Sequence, residues 1–155
     1  MLIETTLKEG KIIKLNLWNM LIANKNNLIR LLADLNSFIK KRKTKLFELN
    51  RKITLDTEYW IEEDYKTVRL YLDGFIKNHY SVKLFNKIKP KGKILIILSY
   101  NEPFILYIIP LLNALITGNE VILKTSRGTE NFVKMIWQKS GIVNKYGLKL
   151  KIISP

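Results

Sequence analysis

Residues 92–153 switch repeatedly between two hydrophobic periods, and few folds accept that pattern. Gly92 and Lys93 are followed by the unbroken apolar run Ile94-Leu95-Ile96-Ile97-Leu98. Its length suits a strand, and its lack of polar breaks predicts burial on both faces of a parallel sheet. Ser99 to Pro103 reads as a turn. Phe104 to Thr117 reads as an apolar helix, kinked or irregular near Pro110. Gly118-Asn119 has the chemistry of a helix C-cap. Val121-Ile122-Leu123 predicts a second buried strand, and Thr125 to Gly128 a loop. A second helix opens at Thr129 and buries Phe132, Val133, Ile136 and Trp137. Leu148 to Ile153 then closes the series as a third strand. Strand, helix, strand, helix, strand implies a parallel sheet with right-handed crossovers, hence an α/β fold.

The front of the chain reads differently. Lys11 to Leu17 is a short strand candidate with poor alternation. From Asn26, which with Asn27 can cap a helix, Leu28, Leu31, Leu32, Leu35, Phe38 and Ile39 fall on one helical face. The basic run Lys40-Lys41-Arg42-Lys43 either ends this helix or lies on its wet face, with Leu46, Phe47 and Leu49 continuing the stripe. A second helix is predicted from near Thr57 to about Asn78, burying Tyr65, Val68, Leu72, Phe75 and Ile76. Its early acidic residues, Glu58, Glu62, Glu63 and Asp64, would oppose the positive end of the helix dipole. Tyr80 to Pro90 is a basic linker. The chain thus divides into a strand-and-helix segment over 1–90 and a β-α-β-α-β unit over 91–155.

Composition narrows the function. The 155 residues suit one ordinary domain, and 47% hydrophobic residues can build a core. The net charge of +14 raises a nucleic-acid reading. Lys, Ile and Asn dominate while Ala is rare and Lys far outnumbers Arg, which is the signature of AT-rich coding sequence. A surface built to grip phosphate would use more Arg, whose planar fork binds in two places. No nucleic-acid partner is therefore expected. The chain has no Cys and a single His, His79, so neither a disulfide, a metal site nor a Ser-His triad is expected. Met1 to Ala23 is broken by charges and does not read as a signal peptide. The apolar stretch from Phe104 to Ile116 is shorter than the ~20 residues that span a bilayer. A cytoplasmic location is the expectation. Trp18, Trp60 and Trp137 read as core or partner-facing residues, and Lys40 to Lys45 as a solvated helix face.

Ligands of open α/β sheets bind beyond the carboxyl ends of the strands. Here those ends are Leu98-Ser99-Tyr100-Asn101 and Leu123-Lys124-Thr125-Ser126-Arg127. Lys124, Ser126 and Arg127 can each reach a hydroxyl or a phosphate. The glycine fingerprint G-x-G-x-x-G is missing, so a standard dinucleotide grip on the first loop is not supported.

Asn101-x-Pro103 after a strand, a long apolar helix, Gly118-Asn119, and then Val121-Ile122-Leu123-Lys124 resemble the entry to the cofactor domain of aldehyde dehydrogenases. The likeness is close over about 91–139 and looser over 26–79, and covers only the front of a full-length member. It implies a Rossmann-like domain, of which this chain would hold part, and an oxidoreductase using NADP or NAD. It also assigns roles. Asn101 matches the asparagine whose amide stabilises an oxyanion, an effect of ~3 kcal/mol. Leu98, Ser99 and Tyr100 match strand-end residues lining the cofactor. Lys124 matches the lysine that bonds the adenosine ribose or its phosphate. Arg127 falls where many NAD-using members carry a glutamate, and a cation there favours a 2′-phosphate, hence NADP.

The departures weigh as much. Tyr100 and Glu102 replace the usual entry-loop residues, and Thr125 stands where the family has a proline. The family's general-base glutamate and cysteine nucleophile would lie beyond Pro155. A chain without Cys cannot form a thiohemiacetal, so the expectation is a truncated remnant or a separately encoded half, inactive alone, that pairs with a second polypeptide or with itself. An acyl-CoA reductase of the luminescence type, which uses NADPH, shares the Gly-Asn-strand-Lys arrangement and is the alternative within the superfamily. A non-catalytic basic module for nucleic acid or anionic membrane is the alternative outside it. Plainer roles compete as well: Asn101 as a helix cap, Lys124 as a solvated strand end.

Overall fold

The computed structural model describes residues 25–77 and 89–154. The strand expected at Lys11 to Leu17, Trp18 and His79 lie outside them. Three helices come first: α1 (Lys25–Lys41), α2 (Lys43–Ile53) and α3 (Glu58–Lys77). Then follow β1 (Lys93–Ile97), α4 (Pro103–Ile116), β2 (Glu120–Lys124), α5 (Glu130–Trp137), a one-turn helix α6 (Ile142–Lys145) and β3 (Leu150–Ile153). The expected α/β alternation is present, with its boundaries within two residues.

The strands lie in the order β1-β2-β3, all parallel. Ile94 pairs with Val121 and Val121 with Leu150, while Ile97 pairs with Lys124 and Lys124 with Ile153. This register puts Ile96, Val121, Leu123, Leu150 and Ile152 on one face, where they join the core. Lys93, Leu95, Ile97, Ile122, Lys124, Lys151 and Ile153 share the other face. There Leu95 is 59% and Ile97 69% exposed. The strand predicted at Ile94–Leu98 to be buried on both faces is thus covered on one. An unbroken apolar run marks residues suited to two-sided burial, but the helices of the described residues cover only one side. Leu98, just past the strand, is buried.

The first predicted helix is two, meeting at Arg42 (φ −107°, ψ 15°). Of the two readings of the basic run, the helix ends within it, and the apolar stripe resumes beyond it with Leu46 and Phe47, both buried. The acidic start of α3 does more than face its own dipole. Glu62 pairs with Lys43 at 2.7 Å and Glu58 with Arg51 at 2.7 Å, stapling α2 to α3. Such half-exposed pairs contribute at most about 1 kcal/mol each.

A chain of aromatic rings joins the front helices to those on the sheet. Phe104 of α4 meets Phe47 and Tyr65 at 5.7 Å and Phe132 of α5 at 5.1 Å, all edge-on. Edge-to-face contacts of this kind add about 0.5–1.5 kcal/mol each beyond burial. Of the tryptophans, Trp137 is fully buried and Trp60 is 60% exposed.

Candidate functional site

The parallel register sets two loops side by side. Ile97 and Lys124 end β1 and β2 as register partners. One more ladder bond, from the Leu98 N–H to the Lys124 carbonyl (3.0 Å), carries the pairing past the strand ends. Beyond it the first loop, Ser99 to Glu102, is exposed. Glu102 is left-handed (φ 44°, ψ 56°) and no side chain caps α4, which begins at Pro103. Proline suits this first position because its missing N–H would have no helical partner. Asn101 therefore does not act as a cap here, and its side chain lies in solvent.

The second loop is fixed from beneath. The buried Thr125 donates its hydroxyl (3.2 Å) and its N–H (3.0 Å) to the Ile153 carbonyl, tying the loop to the end of β3. The fully buried Thr129 donates its hydroxyl to the Ser126 carbonyl at 2.9 Å. Gly128 turns the chain with φ 87°. Lys124 and Arg127 are exposed on this anchored loop, and neither makes an ion pair among the described residues. The nearby carboxylate of Glu130 is already engaged by Lys134 and by the Ser154 hydroxyl, and both hold it below the usual carboxylate range.

Of the residues singled out from sequence, Ser99, Tyr100, Asn101, Lys124 and Arg127 are exposed at this rim and Ser126 is half-buried. Leu98 is the exception, turned into the core. The entry loop also touches α3 electrostatically. Burial first, then the charges of Glu102 and Asp56, push the Asp64 carboxyl up to about 6. A groove of about 310 Å³ lies elsewhere, along β3 between α5 and α6, and none of these site residues lines it.

One residue that holds the site in shape was not singled out in the sequence, and another, Asn119, was read there only as part of a C-cap and of the family motif. Tyr107 of α4 is fully buried, and its hydroxyl donates to the Ser99 carbonyl. Asn119 anchors the opposite end of the sheet. Its Nδ2 donates to the Ala114 carbonyl (3.1 Å) and the Thr117 hydroxyl (2.9 Å). Its Oδ1 accepts the N–H groups of Lys91 (2.7 Å) and Gly92 (3.1 Å). A tyrosine inside an almost wholly apolar helix was the available signal for Tyr107, because a buried phenol needs a partner.

An α/β unit whose polar loops cluster at the carboxyl ends of parallel strands has the layout of a nucleotide-cofactor domain. A sequence profile described as the aldehyde dehydrogenase family matches residues 6–142, and the chain belongs to that family. It is 48% identical over 48 residues to aldehyde dehydrogenase family 3 member A2 of Pongo abelii, a stretch covering 31% of this chain and 10% of that protein. The same protein of Macaca fascicularis is 46% identical over 48 residues, with the same shares covered. No solved structure matches the chain. Among the described residues, no helix is long and apolar enough to cross a membrane.

Proposed function

We propose that this chain supplies the nucleotide-facing rim of an aldehyde-oxidising dehydrogenase and prefers NADP to NAD. The observation that carries the reading is the juxtaposition of the two loops. One exposes Asn101, and the other exposes Lys124 and Arg127 on a frame that needs neither of them. The cation pair suits a phosphorylated ribose: Lys124 and Arg127 make no ion pair among the described residues, and the Glu130 carboxylate that follows them in the chain is already paired with Lys134. A guanidinium can hold a 2′-phosphate through two parallel bonds, and an ammonium adds a point charge.

A bound nicotinamide would supply the hydride acceptor. The chain's own contributions are position and charge. Lys124 and Arg127 orient the nucleotide at the end of β2. Asn101 presents an amide N–H toward the substrate oxygen, where negative charge develops. Its side chain makes no bond within the described residues, so it can take up that role without first breaking one. The 155 residues contain no Cys, so the thiol nucleophile of the family's chemistry has to come from outside them.

Titration of NADPH and NADH, followed by their fluorescence, tests the preference. The expected outcome is about tenfold tighter binding of NADPH, and Arg127→Glu reverses the order. Tighter binding of NADH by the unaltered chain contradicts the reading.

A further inference from the structure

Most of the strongly exposed apolar side chains of the described residues gather in two places. One is the open face of the sheet, with Leu95, Ile97 and Ile153. Parallel sheets ordinarily keep both faces covered, and an apolar patch left bare marks a contact surface. The other is the start of α3, where Leu55 is fully exposed and Tyr59 is 64% exposed beside Trp60. The Tyr59 and Trp60 rings meet edge-on at 5.2 Å and form one aromatic ridge. The two patches carry opposite charge. On the sheet, Lys93, Lys124 and Lys151 surround the apolar side chains, and none makes an ion pair among the described residues. The half-buried Glu120 is the carboxylate beside them. At the start of α3, residues 53–65 contain no Lys or Arg. Glu58, Glu62 and Glu63 pair with Arg51, Lys43 and Lys66, but so exposed that the pairs hold little. Asp56 makes no ion pair among the described residues.

The patches do not meet within one chain. α3 packs on α4, and α4 packs on the core face of the sheet, so a helical layer stands between them. We infer that the chain associates head to tail, the acidic aromatic start of α3 in one copy covering the basic open sheet face of the next. Trp60 and Tyr59 are of the types that anchor such contacts, and the sheet supplies an apolar floor for them. Two sheet faces do not suit each other, because like charges would meet. A contact between unlike patches on opposite sides of the molecule repeats, so association runs past the dimer. The inference does not rest on the proposed function.

Sedimentation equilibrium reads the association, at about 0.15 M salt, where screening confines charge effects to about 8 Å. The expected result is a mass that rises past the dimer between about 1 and 100 µM. Ile97→Gln blunts the sheet face and Trp60→Ser the aromatic ridge, and each weakens association by about tenfold or more. An equimolar mixture of the two variants restores it, but only to the dimer, because each keeps the one patch that the other lacks. Leu95→Gln and Tyr59→Ser repeat the two arms independently. Leu70→Ser is the control: Leu70 is exposed farther along α3, and its loss leaves the mass unchanged. All these side chains are exposed, so the circular dichroism of every variant stays that of the unaltered chain. An unaltered chain that stays monomeric over the whole range, or stops at the dimer, overturns the inference. So does association that survives Ile97→Gln or Trp60→Ser, that falls as much in Leu70→Ser, or that the mixture of variants fails to restore.

Discussion

Asn101 and Asn119 flank the same helix, one before α4 and one after it, and the fold treats them in opposite ways. Asn119 is buried and both ends of its amide are bonded, to the end of α4 and to the entry of β1. It completes a C-terminal motif in which the Gly118 N–H bonds the Leu115 carbonyl (3.0 Å) and the Asn119 N–H the Ala114 carbonyl (3.3 Å), with Gly118 at φ 84°. Asn101 is exposed within a loop that ends in a strained, left-handed Glu102. The same residue type serves structure at one end of the sheet and is left available at the other. A polar group that the fold consumes cannot also bind a ligand. Polar groups left over at the carboxyl ends of strands are the ones to examine for function.

The contrast predicts very different costs. Asn119→Ala removes four part-buried hydrogen bonds, so the stability read from urea unfolding is expected to fall by about 2–4 kcal/mol. A loss under about 1 kcal/mol would mean that water replaces those bonds and that this end is not closed.

Next in size is the rim's link to α3. Asp64 keeps its proton in the folded chain up to about 6, against an ordinary value of 3.8. Its folded state binds more protons between those limits, so stability falls as pH rises from the lower to the upper and stays lower above it. Asp64→Asn removes that penalty. After discounting for solvent screening, the variant should gain about 1 kcal/mol at about pH 7.5 and nothing at about pH 3. A gain independent of pH would show that burial and Glu102 do not act on Asp64. Glu102→Gln should lower the Asp64 midpoint, readable by carboxyl NMR titration, but by less than burial raises it.

Asn101→Ala should change stability least, within about 0.5 kcal/mol, because it removes no bond of the fold. A larger loss, seen in the same urea experiment, would return Asn101 to a structural role.

Much of this was legible in the sequence. Gly92, Gly118-Asn119 and the apolar runs between them located the β-α-β-α-β unit, because strand and helix differ in both period and length. The rim followed from the strand order, since parallel strands deliver their exits to one edge. What escaped depends on contacts distant in sequence. An unbroken run such as Ile94 to Leu98 cannot say how many of its faces are covered. The break at Arg42 leaves the apolar stripe intact, so periodicity passes over it. Glu58 and Glu62 looked like partners of their own helix dipole, but Arg51 and Lys43 of the preceding helix reach them. The hydroxyl of Tyr107 makes sense only once the Ser99 carbonyl of the preceding loop is beside it.

The open rim of the sheet is proposed to hold a phosphorylated dinucleotide. The most direct measurement is the unfolding of the chain with and without NADP, with NAD as the comparison. Saturation at a hundredfold excess over the dissociation constant should stabilise the fold by about 2.7 kcal/mol, with NAD needing a higher concentration for the same shift. No stabilisation by either nucleotide, at any concentration reached, would contradict it.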